Sequence, residues 1–295
     1  MKRLLLLVLL CAVLGAGLGW YLTAPPPLDR EYAAGHQPDA ANGALVFAAA
    51  GCASCHAAPE ATGADKLVLA GGHRFASDFG MFIAPNISPG PQGIGGWDLP
   101  AFARAVTQGV SPEGQHYFPA FPYTSYAGMT PEDVSDLFAY MAGLPVSDAP
   151  SLDHEVGFPF NIRRALGGWK LLFAHEGHQL DGDFGPELTR GRYLVEVLGH
   201  CAECHTPRNA LGGLERSAWL SGAPNPSGKG EIPNITPGAL DWSESDLVYY
   251  FESGFTPDYD SVGGSMAAVV SNLAQLPESD RVAIAAYLKA VPPIP

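Results

Sequence analysis

Basic residues are scarce. Sixteen Lys and Arg face 30 Asp and Glu, a formal charge of −14, so the basic footprint that a nucleic-acid partner requires is missing and basic protein surfaces fit better as partners. Apolar sequence is also limited: only 16% of residues are charged, yet mean hydropathy reaches just +0.06, which excludes a polytopic membrane protein. Gly (35) and Pro (27) fall short of the share, about 25–30%, that marks low-complexity disorder. A chain of 295 residues predicts about two domains with a sizeable core.

The one long uncharged run, Leu4 to Leu22, is preceded by Lys2 and Arg3. At about 1.5 Å per residue it just crosses a hydrocarbon core, and the positive flank predicts that residues beyond 23 lie outside, in a bacterium in the periplasm. A cleaved secretory signal is the rival reading, since Gly15-Ala16-Gly17 and Gly17-Leu18-Gly19 offer small-residue cleavage sites. The length of the run and the Trp20-Tyr21 pair at its end favour a retained anchor. Cys11 lies inside it and reads as a membrane-facing apolar side chain.

The other four cysteines fall in two copies of one pattern, Cys52-Ala53-Ser54-Cys55-His56 and Cys201-Ala202-Glu203-Cys204-His205. Cys-x-x-Cys-His reads as covalent c-type haem attachment. Two thiols three positions apart add across the vinyl groups of one haem, and the adjoining His reaches the iron from the proximal side. A redox dithiol, a structural disulfide or half a zinc site explains less: the copies lie too far apart for paired zinc knuckles, and the His after each pair would have no role. Two covalently bound haem c groups are therefore expected, held by Cys52, Cys55 and His56 and by Cys201, Cys204 and His205.

The duplication extends beyond these motifs. Pro85-Asn86-Ile87-Ser88-Pro89 is echoed by Pro233-Asn234-Ile235-Thr236-Pro237, and Trp97 to Pro112 matches Trp242 to Pro257 without a gap, each stretch a helix closed by Gly109 or Gly254. Thr130-Pro131-Glu132-Asp133 and Leu276-Pro277-Glu278 open closing helices whose apolar stripes correspond, Leu137, Tyr140 and Met141 against Ile284, Tyr287 and Leu288. Further helical stretches precede the haem motifs, around Gly43 to Ala50 and Gly191 to Leu198, and no alternating run suggests a sheet. Residues 147–186 are too apolar for a free linker, with Phe158-Pro159-Phe160 and Trp169 to Phe173, and read as a strap packed across both halves with a short helix near Ile162 to Phe173.

The two attachment motifs, the Pro-Asn-Ile loops, Phe118-Pro119-Ala120-Phe121-Pro122-Tyr123 and Gly263-Gly264-Ser265-Met266-Ala267 together resemble the dihaem class I cytochromes c. They are similar above all to the cytochrome subunits and partners of bacterial periplasmic alcohol, aldehyde and sugar-acid dehydrogenases. The resemblance implies an all-α fold: a membrane helix (1–23), a linker (24–40), a cytochrome c domain (41–146), the strap (147–186) and a second cytochrome c domain (187–295). It implies a membrane-anchored periplasmic electron relay, fed by a dehydrogenase or quinol-oxidising complex and emptied by an oxidase or another cytochrome. The alternative is a dihaem enzyme, a peroxidase or thiosulfate dehydrogenase, using an open first haem.

In that family the distal ligand is a Met before the last helix, which assigns Met266 to the second haem. The ungapped register puts Phe121 at the matching place in the first half, and Phe cannot ligate iron. Met129 is the nearest soft ligand downstream, although its position before a helix cap also suits a hydrophobic staple. His73 and His116 are read as propionate or backbone partners, and His36, His154, His175, His178 and His200 have no distinguishing context. From Glu231 to Asp280 the chain carries nine carboxylates and no Lys or Arg, which predicts docking to a basic patch on a partner.

Overall fold

A computed structural model describes residues 1–295 apart from 175, 176, 227 and 229; His175 thus lies outside the described residues. Helix α1, Lys2–Leu22, buries none of its side chains. Among the described residues it is the one helix long and apolar enough to cross a membrane, with a mean hydropathy of 2.3 over its most apolar window.

In the first half, helix α2 (Ala40–Ala49) begins at Asp39, whose carboxylate accepts the Ala41 and Asn42 N–H groups. Gly51 then takes a left-handed φ of 64°, which ends α2 and starts the short helix α3 (Cys52–His56) on the attachment motif. Helix α4 (Leu99–Gln108) is capped by Asp98 and closed by Gly109, α5 (Tyr123–Tyr126) is a single turn, and α6 (Pro131–Ala142) is capped by Thr130. Its inner stripe buries Val134, Leu137 and Met141.

The first and last helices of this half cross at Gly43. A Cβ there would lie 2.0 Å from the Asp136 carbonyl oxygen, so only glycine lets α2 and α6 approach. The second half repeats the crossing: Gly191 of α8 (Pro186–Arg192) meets α12 (Glu278–Ala290), where a Cβ would stand 1.9 Å from the Ala283 oxygen. One more residue separates Gly191 from Cys201 than separates Gly43 from Cys52. The extra residue is absorbed where α8 runs on as a wider π-helical turn over Tyr193–Leu198, with Gly199 N–H donating to the Leu194 oxygen at 2.7 Å. The chain continues through α9 (Ala202–His205), α10 (Glu244–Ser253), which has a Ser243–Asp246 capping box and ends at Gly254, and α11 (Met266–Leu273).

One expectation needs correction. Strands do occur, in a fold that is otherwise mostly helical: β1 (Arg74–Ser77) and β2 (Gly80–Ile83) form a hairpin that β3 (Glu155–Val156) joins, and β4 (Ala223–Pro224) pairs with β5 (Glu231–Ile232). Strands of two to four residues are too short to show alternation, which is why the sequence conceals them. The strap packs on one face only. In α7 (Ala165–Phe173) Gly167 is buried, and Trp169 and Phe173 turn toward Leu211 and Gly213, but Phe158 is 82% exposed and Leu171 and Leu172 stand in solvent. On its outer side Ala165, Leu171 and Leu172 are exposed.

Candidate haem sites

Each attachment motif ends with its histidine held in the same way. His56 Nδ1 lies 2.8 Å from the Pro85 carbonyl oxygen, and His205 Nδ1 lies 2.8 Å from that of Pro233. A carbonyl accepts only, so Nδ1 carries the proton and Nε2 keeps its lone pair, the tautomer a metal ligand needs. Burial pushes both imidazoles below the ordinary histidine value, against the pull of the carbonyl bond, and keeps them neutral.

The prolines are placed by the loops around them. Gly71 N–H donates to the His56 oxygen and Gly222 N–H to the His205 oxygen, both at 2.7 Å. Both glycines have left-handed φ, 74° and 88°. A Cβ on Gly71 would lie 2.5 Å from the Pro85 carbonyl carbon, and one on Gly222 would lie 2.7 Å from the Ile232 oxygen. Next in the chain, Asn86 Oδ1 accepts the Ser88 N–H while its Nδ2 donates to the Ser147 and Ala149 oxygens. Asn234 does the same with Thr236 and Ile294. The asparagines thus fasten each proline loop to the chain just after the closing helix. Sequence reasoning saw the Pro-Asn-Ile loops but missed Gly71 and Gly222. The repeated Leu-x-Gly, Leu69-Ala70-Gly71 and Leu220-Ser221-Gly222, was the available signal.

None of the four motif cysteines is in a disulfide. Burial pushes the Cys52 and Cys201 thiols up to about 12 and also raises Cys55 and Cys204, the opposite of a reactive redox dithiol. Among the described residues no three His, Cys, Asp or Glu side chains gather into a metal cluster. Two free thiols beside one neutral, backbone-oriented imidazole, twice over, are a donor set that fits haem c.

The distal candidates differ. Met266 is the first residue of α11 and half-buried, after Gly264 in the left-handed region, so it opens a helix where the sequence suggested a loop. Phe121 is half-buried among Tyr117, Tyr123 and Tyr126, at ring distances of 6.2, 6.3 and 5.9 Å. Met129 is 6% exposed and Leu276, its counterpart, 3%, each directly before a closing helix and each in the core. His116 is a backbone partner, 3.0 Å from the Thr23 oxygen. Asp280, counted above in the acidic stretch, is buried and paired with Arg190 at 2.8 Å, so it presents no charge to a partner.

The two motifs also meet each other through a pair of matched contacts. Asn272 of α11 donates to the Ser54 hydroxyl at 2.9 Å, and Thr124 and Ser125 of α5 donate to Glu203, each at 3.2 Å. Ser54 and Glu203 hold the same place in their motifs. Tyr126 adds a bond to the Ala50 oxygen at 2.9 Å and an edge contact with the His200 ring at 5.5 Å. Each half therefore sets its distal segment against the attachment motif of the other.

Comparison with known proteins identifies a family. Residues 40–145 match the cytochrome c family. The chain is 55% identical, over its full length and that of the relative, to a dihaem c-type cytochrome of Cereibacter sphaeroides. It is 39% identical to the fructose dehydrogenase cytochrome subunit of Gluconobacter japonicus, over 90% of this chain and 55% of that one. It is 35% identical to the cytochrome c subunit of a quinone alcohol dehydrogenase of Komagataeibacter europaeus, over 86% and 56%. The chain spans about half the length of these two dehydrogenase subunits. With both attachment motifs built alike and a full-length dihaem relative, the chain belongs to the dihaem c-type cytochromes, carries two covalently bound haem c groups and serves electron transport.

Proposed function

We propose that the protein is a membrane-anchored, periplasmic relay that takes single electrons from a dehydrogenase or quinol-oxidising complex and passes them to an oxidase or another cytochrome. When bound, each haem supplies a one-electron ferric/ferrous couple. What the chain adds is rigidity and environment: Cys52, Cys55 and His56 hold one group, Cys201, Cys204 and His205 the other, and the Pro85 and Pro233 carbonyls fix the imidazoles so that little reorganises with the charge. The duplicated His-to-proline bond is the observation that carries this reading. Relatives named as dehydrogenase cytochrome subunits support a dehydrogenase as donor. The chain divides for this purpose into domains at 41–146 and 187–295 around the strap at 147–186, with α1 as the anchor.

The halves are proposed to differ in their sixth ligand. Met266 fills that role in the second, because it opens α11 after a glycine turn and is not fully packed away. In the first, Phe121 stands in the matching position and Met129 packs as Leu276 does, so the first site has Met129 as ligand only if it leaves the staple. An open first site is also what the peroxidase or thiosulfate dehydrogenase reading would use. Glu203, the carboxylate that α5 touches, is engaged by Thr124, Ser125 and Arg208, which favours the relay. The test is Met129→Leu against wild type. If the staple holds, the near-infrared sulfur-to-iron band and both potentials stay unchanged; loss of half the band with a fall in one potential makes Met129 the ligand.

Docking is proposed through the second half, where Glu231, Asp241, Glu244, Asp258 and Asp260 are exposed, as is Tyr259 at 86%. A basic patch on the redox partner complements this face.

A further inference from the structure

The outer side of the strap holds several apolar side chains in solvent. Phe158 is 82% exposed, Leu171 63%, Leu172 61%, Phe160 47% and Ile162 45%. In α7 the exposed positions Ala165, Leu171 and Leu172 fall on one side of the helix, while Gly167 is buried. The single charge of that helix, Lys170, points inward: its Nζ donates to the Gln108 and Gly109 oxygens at 2.5 and 2.8 Å and sits 4.4 Å from the Tyr123 ring centroid. From Gly157 to Ala174 there is no Asp or Glu, in a chain whose net charge is −14.

This patch lies where α1 ends. The Arg164 guanidinium lies 4.2 Å from the Trp20 ring centroid and donates to the Trp20 oxygen. A Cβ on Gly167 would be 2.3 Å from the Thr23 oxygen, the same carbonyl that His116 Nε2 approaches at 3.0 Å. The start of α7 is thus locked to the last turn of α1, and Leu171, one helical turn on, is about 6 Å further along. Interfacial helices sink their apolar side about 5–10 Å into the headgroup boundary, so both features sit on one length scale.

We propose that residues 158–172 form a second membrane contact, lying in the lipid interface beside the exit of α1 and fixing the orientation of the haem-bearing body to the bilayer. The proposal rests on reading α1 as a retained anchor. Continuity with that helix singles out a phospholipid surface over a protein partner, and the absence of carboxylates removes repulsion from anionic headgroups.

The test uses the full-length holoprotein in nanodiscs of phosphatidylcholine and phosphatidylglycerol containing a phospholipid with a diazirine on its acyl chain, photolysed and mapped by peptide mass spectrometry. Adducts are expected on α1 and on peptides covering 158–172, with none over 241–260. Leu171→Ser combined with Leu172→Ser, both surface changes, removes the strap adducts while haem content and the α1 adducts stay as in wild type. Adducts on α1 alone would leave the anchor standing and overturn the strap contact, whether water, a second copy or another protein covers it. Adducts on neither segment would overturn both readings, and adducts on the strap without α1 would discard the anchor and with it a second contact beside the exit of α1.

Discussion

A methyl group at Gly71 would collide with Pro85, the residue whose carbonyl fixes the His56 ring. Gly71→Ala combines that clash with a left-handed φ and is expected to cost about 1–3 kcal/mol. The damage falls on one site: the variant should mature with less haem in the first half, and thermal melting with a haem-to-protein ratio measures both effects. At this scale the proposed donors can be read from the sequence, because Cys-x-x-Cys-His is a covalent requirement written in adjacent positions. It did not reveal what aims them. Gly71, Gly222 and the tethering amides of Asn86 and Asn234 act through backbone contacts between distant segments, and only the register of the duplication hinted at them.

Between elements, the pairing of α2 with α6 depends on Asp136, almost buried at the glycine crossing. Burial would raise its carboxyl, but the Asp39 N–H, the His36 imidazole and the Asn42 amide outweigh it and hold it below the ordinary carboxylate value. A depressed folded pKa means this stabilisation is full above the unfolded value, about 3.9, and fades as pH falls through the folded one. Asp136→Asn is therefore expected to lose about 1–3 kcal/mol near neutrality and to show a weaker acid dependence below about pH 4 than wild type, which urea unfolding across pH will measure. Periodicity and caps made α4, α6, α10 and α12 legible. The π-helical turn over Tyr193–Leu198 was not, since a one-residue insertion leaves no mark on composition, and the helix beginning at Met266 was hidden by the glycines before it.

Across the molecule, charge and contact surfaces divide the tasks. The acidic second half, with Glu231, Asp241, Glu244, Asp258 and Asp260 exposed, predicts that association with a basic redox partner slows as salt rises, by stopped-flow reduction at increasing ionic strength. An association rate indifferent to salt would contradict that docking face. The fold at this scale was legible as a duplication, and so was an apolar segment between the halves, but the exposure of Phe158 and Leu172 on that segment was not. Composition records that apolar side chains need a partner without recording whether the partner is the same chain.

The central claim is a relay through two unlike haem sites that share one scaffold. A redox titration of the holoprotein, followed optically and by low-temperature EPR, tests it most directly. Two one-electron waves of equal amplitude at different potentials are expected, with His/Met signatures confined to the site of His205 and Met266. A single wave, or two sites with the same ligation and potential, would contradict it.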